Sequence, residues 1–397
     1  MKVNKSIQLL IYSLLIECLL LTGCWDRIEL NDIAVALATA VDVEEDHVYR
    51  TTVQYALPGK MGASQTTGSG GGAEDNIAYI DSDIGKTLRE AVTKMQARMS
   101  QRITFSHRRV LIVSEELARN GIRDMFDTTA RTASNRLSAY IIVAKGKAFD
   151  LLKAEPQFER FSGENILYLA EARGVIKVNM RQAAQAMSPI GSDTILSYMT
   201  VKKSQLSNDP SKEIEFVGYA QFQDDKMVGT FEGEEAHGLM WLKDEISPYT
   251  TILKIEENKY ASVNVKNGNV KIKPKLNDDH IEYALDIEIN ANLIEDFTRS
   301  DITNNSTQEV LSKSLEDHID GAIHSAIKVI QENKGDSAQL GLLLQRHYPK
   351  QWREKYEDNW YEELAKAKFS IQIKANITDA GLVSENITNR VKAEESK

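Results

Sequence analysis

The run IAVALATAVDV, Ile33 to Val43, decides the fold class of the first half of this chain. It is apolar, rich in valine and alanine, and closed by the acidic turn Glu44-Glu45-Asp46, which reads as a buried β-strand rather than a helix. A buried strand needs neighbours. Val48 to Leu57 alternates enough to lie beside it, and Pro58-Gly59 ends that second strand. Further on, the spacing of Ile84, Leu88, Val92, Met95 and Met99 predicts an amphipathic helix over Ser82 to Met99, with Ser82 or Asp83 as its N-cap. A strand at Arg109 to Val113 follows, then Ser114 as an N-cap with Glu115 and Glu116 in the first turn, where acids suit the helix dipole. Helices around Leu117 and Met125, a strand at Ser138 to Ala144 and a helix near Phe149 to Leu152 complete the alternation, which predicts a mixed α/β sheet domain.

Beyond this the pattern changes. A helix is expected from Glu164 to Ala172, and Ser188-Pro189-Ile190-Gly191 reads as a domain boundary. Strands follow at Ile195 to Thr200, Ile214 to Phe222 and Met227 to Phe231, the last two joined by Gln223-Asp224-Asp225. Asn267-Gly268, between Ala261 to Val265 and Val270 to Ile272, is a strong hairpin signal because both residues tolerate positive φ. After a strand at Tyr283 to Ile289, a long helix from Thr307 to Glu332 carries Leu311, Leu315, Ile319, Ile323, Ala326 and Ile330 on one face. Helices at Leu340 to His347 and Gln351 to Lys366 and a strand at Phe369 to Ile377 close the body. The expected class is α+β: three mixed α/β domains with mixed or antiparallel sheets and a long amphipathic helix in the last. The expected divisions are 1–23 as a signal peptide, 24–190 as an N-terminal α/β domain, 191–270 as a middle β-rich domain and 271–397 as a C-terminal α+β domain with a polar tail.

The amino terminus carries the strongest chemical signal. Lys2 and Lys5 form a positive n-region, and Ile7 to Leu21 is an apolar stretch shorter than the roughly 20 residues a spanning helix needs, so it reads as a secretion signal. Leu21-Thr22-Gly23 places small residues directly before Cys24, in the manner of a bacterial lipobox. In such a sequence the thiol receives a diacylglycerol and the signal is cut before the cysteine. Two or three buried acyl chains anchor stably, each methylene contributing about 0.8 kcal/mol.

Composition bounds the remainder. With 42% hydrophobic and 27% charged residues over 397, the chain is an ordinary globular body. Its formal charge is -10, and removing Lys2, Lys5 and Glu17 with the signal leaves 46 basic against 57 acidic residues, which argues against broad nucleic-acid binding. Cys18 lies in the signal and Cys24 is the lipid site, so the mature body has no thiol for disulfides, nucleophilic catalysis or thiolate metal sites.

Candidate chemistry is thin. Gly85-Lys86-Thr87 resembles the end of a P-loop, but Ile80 stands where the motif needs glycine and Asp81 and Asp83 would repel phosphate, so it reads as the first turn of a helix. The histidines at 47, 107, 237, 280, 318, 324 and 347 show no metal spacing, and His318 and His324 fall on different helix faces. There is no GxSxG elbow, and acidic pairs such as Asp278-Asp279 sit in polar turns. Arginine is dense from Arg89 to Arg136, which reads either as local pairing with Glu and Asp or as a patch for acidic groups. No catalytic, cofactor-binding or metal residue is expected, and no cofactor.

Several stretches together resemble the Ger(x)C family, the C-subunit lipoproteins of spore germinant receptors. They are GCWDRIELND from Gly23, SHRRVLIVSEELARNGIRD from Ser106, AYIIVAKGKAFDLLK from Ala139, AHGLMWLKDE from Ala236, RHYPKQW from Arg346, and Trp360 before the last strand. The family's Asp-x-x-Gly-x-Gly-like stretch before its Tyr-Pro is kept only in part, as Gly335 to Gly341. The resemblance implies a non-enzymatic lipoprotein on the outer face of the inner spore membrane, built of three α+β domains. It would assemble with a multi-span A-type subunit and a transporter-like B-type subunit to start germination. The competing reading is a ligand-capturing lipoprotein of a membrane transporter, which would favour two lobes around a cleft.

Overall fold

A computed structural model describes residues 32–45, 48–57, 78–132, 135–205, 212–277, 280–296 and 305–379, with short helical pieces at 6–7, 9–10 and 12–13. The expected lipid site Cys24, most of the signal, the Gly/Ser-rich stretch 60–76, Asp278-Asp279 and the polar tail lie outside the described residues.

The run that opened the sequence reading is the pivot of a nine-stranded sheet. β1 (Ile33–Glu45) pairs antiparallel with β2 (Val48–Ala56), which pairs with the edge strand β3 (Ala78–Gly85). On its other side β1 runs parallel to the short β4 (Arg102–Thr104) and then to β5 (Val110–Ser114), followed by β6 (Tyr140–Ala144) and β7 (Ile195–Lys203), also parallel. β8 (Lys212–Gln223) and β9 (Lys226–Glu232) finish the sheet antiparallel. Helices cover both faces, so the central strands are apolar on both. Val110, Ile112, Ile142 and Ala144 pack under α4 (Ala148–Leu152) and α5 (Ser162–Ala170). Leu111, Val113, Ile141 and Val143 pack under α2 (Glu115–Asn120), α3 (Arg123–Ala130) and α6 (Met180–Met187). The alanines of β1 let α5 come close, since a Cβ at Gly163 would stand 2.8 Å from that of Ala38. The buried Asp42 accepts from the N–H groups of Ala148 and Phe149 and so caps α4.

The second sheet has the order β10 (Tyr249–Glu256), β11 (Lys259–Leu276), β12 (Ile281–Asp296), β13 (Lys368–Asp379), antiparallel except for the last pair. The long α8 (Asn305–Asn333) lies across it with the expected stripe, Leu311 to Ile330, buried. α7 (Glu234–Leu242) crosses α8 at Gly238, whose Cβ would meet the Ala322 carbonyl oxygen at 2.0 Å. α9 (Leu340–His347) and α10 (Trp360–Lys366) end the helical layer, joined by a short helical turn at Pro349–Gln351, a π turn at Trp352–Tyr356 and a 3-10 turn at Glu357–Asn359.

Four expectations need correction. The helix expected at Ser82 begins at Leu88 as α1 (Leu88–Gln96): Ser82 and Asp83 belong to β3, and Thr87 is the N-cap, accepting from Glu90 N. Pairing with β2 overrides the helical spacing of Ile84. Asn267-Gly268 forms no hairpin; β11 runs straight through it, bulged after Val265, with Gly268 opposite Ile289. The glycine is there for space, because a Cβ would lie 2.4 Å from the Trp241 ring. The segment 191–270 makes no sheet of its own, since β7 to β9 extend the first sheet while β10 and β11 begin the second, and residue 270 falls in mid-strand. The helix expected over Gln351 to Lys366 is broken by the π and 3-10 turns.

Candidate functional site

Where the two sheets meet, two aspartates far apart in sequence are brought together. Asp193 precedes β7, and Asp336 follows α8; they are 1% and 0% exposed. Asp193 Oδ2 accepts from Asp336 N at 2.7 Å, while its Oδ1 accepts from Asp224 N at 2.7 Å and from the Tyr361 hydroxyl at 3.1 Å. Asp193 N in turn donates to the Asp336 carbonyl at 3.0 Å. Asp336 sits at the start of α9, accepting from Leu340 N and Gly341 N at 2.8 Å each and from Trp360 Nε1 at 3.0 Å. These are the free N–H groups of a first helical turn, where a carboxylate is favoured. Around the pair, Gly191 and Gly341 pack backbone to backbone, with no room for a Cβ on either. Gln221 of β8 donates to the Gly335 carbonyl and accepts from Asn333 at the end of α8.

Burial pushes both carboxyls up, Asp336 to about 7 and Asp193 to about 6, against the N–H donors that favour ionisation. An unfolded aspartate titrates near 4. Between about pH 4 and 7 the folded chain therefore holds more protons than the unfolded one, and the stability these groups contribute falls as pH rises through that window. Carboxylates held low by arginine, such as Asp83 and Asp127, act in the opposite sense at lower pH. Thermal melts of the wild type and Asp336→Asn are therefore expected to show the wild type's relative stability shrinking from pH 5 to pH 7.5. A difference constant across that range would show that Asp336 does not titrate there. Chemically, the junction is a clamp. Every carboxylate oxygen is engaged by donors of the same chain, and Asp336 offers no surface to a substrate.

The histidines are used locally. Glu234 at the start of α7 lies 3.1 Å from His318 Nε2 and 3.6 Å from His237 Nδ1, and these imidazoles hold its carboxyl well below the usual range. His318 also meets the Thr251 hydroxyl at 2.8 Å, and His237 stacks on Tyr249 with centroids 4.4 Å apart. His324 faces elsewhere, onto its own helix at the Asp320 carbonyl, in keeping with the different faces expected for His318 and His324. Among the described residues no group of three or more His, Cys, Asp or Glu is placed to hold a metal ion.

Among the described residues four of the nine dense arginines pair with acids: Arg98 with Asp81 and Asp83, Arg119 with Glu115 and Arg131 with Asp127 close by in sequence, and Arg123 with Asp224 across the fold. Gly85-Lys86-Thr87 is not itself the first turn expected: Gly85 ends β3, Thr87 caps α1, and Lys86 N donates to Glu90 in the turn that follows. Sequence reasoning missed the Asp193–Asp336 pair. Its one visible trace was the partly kept glycine motif around Asp336. Among the described residues no helix is long and apolar enough to cross a membrane.

Known proteins similar to this chain were found at three levels. Residues 26–201 match the family model for the spore germination protein N-terminal domain, and residues 217–381 match the model for the spore germination B3/GerAC-like C-terminal region. The Bacillus subtilis (strain 168) protein YfkR, which its name provisionally ties to spore germination, is 30% identical over 363 residues, covering 89% of this chain and 94% of its own. Spore germination protein KC of the same organism is 26% identical, covering 97% of this chain and 98% of its own. In three dimensions the fold is similar to the crystal structure of the GerBC protein, with a TM-score of 0.53 at 18% identity, over 85% of this chain and 96% of that one.

Proposed function

Since the chain belongs to the Ger(x)C family of spore germination proteins, with a role in germination, we propose that it is the membrane-anchored lipoprotein subunit of a nutrient germinant receptor, required for receptor assembly and non-enzymatic. Its partners are a multi-span A-type subunit and a transporter-like B-type subunit, and its place is the outer face of the inner spore membrane, held by lipid on Cys24. The observation that carries this reading is the family match over both halves of the chain, beginning at residue 26, two residues past the cysteine of the lipobox-like Leu21 to Cys24. Only eight residues lie between Cys24 and Ile33 at the start of β1, a tether of about 30 Å at the reach of an extended chain. A body so tethered works against the membrane surface and meets partners there. The sealed Asp193 and Asp336 support a scaffold rather than a catalyst.

Cys24→Ala is expected to move the protein from the membrane to the soluble fraction of spore lysates and to cripple the response to nutrients. Retention in the membrane fraction would refute the lipid anchor. A pull-down of the lipidated protein from spore membranes is expected to recover A-type and B-type subunits together. Recovery of neither would undercut the receptor assignment while leaving the anchor standing.

A further inference from the structure

One arginine of the dense run behaves unlike the others. Arg108, just before β5, is 6% exposed, and its side chain is bonded to no carboxylate among the described residues. Its Nη2 donates to Thr129 Oγ1 at a long 3.3 Å, its guanidinium carbon lies 5.8 Å from the centre of the Phe105 ring, and its Nε has no partner. Burial pulls its pKa down to about 10, so the side chain stays charged at neutral pH. A buried cation without a counter-charge is costly, and native structures leave few buried polar atoms unmatched.

Three further unmatched atoms stand around the same space. Thr39 Oγ1 of β1, Thr51 Oγ1 of β2 and Asn135 Oδ1 have no hydrogen-bond partner, and with Arg108 they line one cavity of about 40 Å³ between the first sheet and helices α1 and α3. Thr39 and Thr51 are 3% and 1% exposed. So four of the ten unmatched buried side-chain atoms among the described residues converge on a single pocket. Exposed Arg89 of α1 stands at the rim, donating to Thr132, and Val92 and Phe105 supply an apolar wall. No acidic residue lines it.

We infer that this cavity is a binding site for a small carboxylate or a similarly planar monovalent oxyanion. The volume holds about three water-sized groups, the size of acetate or nitrate. An oxygen of such an ion accepts from Arg108 Nε, and the hydroxyls of Thr39 and Thr51 donate to it. Charge-assisted bonds of this kind are the strong ones. A methyl group would rest on Val92 and Phe105. Asn135 keeps its amide nitrogen on the Thr129 carbonyl oxygen at 3.4 Å and gives the ion no bond.

The test uses the full-length chain in detergent, with sodium acetate or sodium nitrate replacing sodium chloride at fixed ionic strength. A saturable rise in melting temperature is expected with at least one of the two, as for any ligand that binds only the folded state. Calorimetry is expected to give the same affinity, weakened at least about tenfold in Thr51→Val and abolished in Arg108→Gln. The absence of saturation with both ions would overturn the inference, leaving a pocket filled by water. So would affinity equal to wild type in either variant. If Arg108→Gln does not fold, Thr51→Val decides alone, since exchanging an unpartnered hydroxyl for a methyl leaves the packing in place.

Discussion

Asp336→Ala is expected to destabilise the folded chain by about 3–5 kcal/mol at neutral pH, the cost of leaving several buried N–H donors unsatisfied at once. Three N–H donors, from Leu340, Gly341 and Trp360, lose their acceptor inside the junction, and buried water would have to replace it. The measurement is urea denaturation followed by tryptophan fluorescence, which the buried Trp352 and Trp360 beside the site should report. Asp317→Ala, at an exposed position on α8, serves as the comparison and should stay within about 0.5 kcal/mol of wild type. A loss below about 1 kcal/mol at Asp336 would mean the junction contributes little to holding the sheets together.

Two glycines of crossing helices should respond to alanine with opposite signs. Gly238 and Gly321 both lie in helices, where alanine is intrinsically better by about 1 kcal/mol. A Cβ at Gly321 meets nothing within 4 Å, so Gly321→Ala should stabilise by about 0.5–1 kcal/mol. At Gly238 the same atom would stand 2.0 Å from the Ala322 carbonyl oxygen, and α7 and α8 would have to part. Gly238→Ala should therefore cost about 3 kcal/mol, the upper end of ordinary overpacking. Equal effects at the two sites would mean that the crossing is looser than its geometry implies.

What could be read from the sequence was whatever depends on near neighbours. β1, the stripe on α8, the Ser114 cap and the Gln223 to Asp225 turn each follow from spacing or from a residue's own conformational preference. The failures share another cause. At Asn267-Gly268 the turn chemistry was genuine, but the glycine answers to the Trp241 ring of α7, and no local rule contains that contact. At Ser82, register with β2 outweighed helical spacing. The junction is the extreme case: Asp193 and Asp336 are joined by bonds that span 143 positions, and the partly kept glycine motif around Asp336 says nothing of its partner. Arg108 looked like its neighbours because paired and unpaired arginines differ only in what the fold brings near them. Cys24 is the reverse case, a residue whose chemistry is written entirely in the few letters before it.

The antiparallel pairing of β7 with β8 has a consequence for how this chain can be divided. The two regions by which its sequence is compared with others end at Val201 and begin at Val217, so the seam between them runs down the hydrogen bonds joining those two strands. A fragment stopping there would offer β7 as an open edge, a template for aggregation. The halves that are separable as text are therefore one piece as a solid, made whole or not at all.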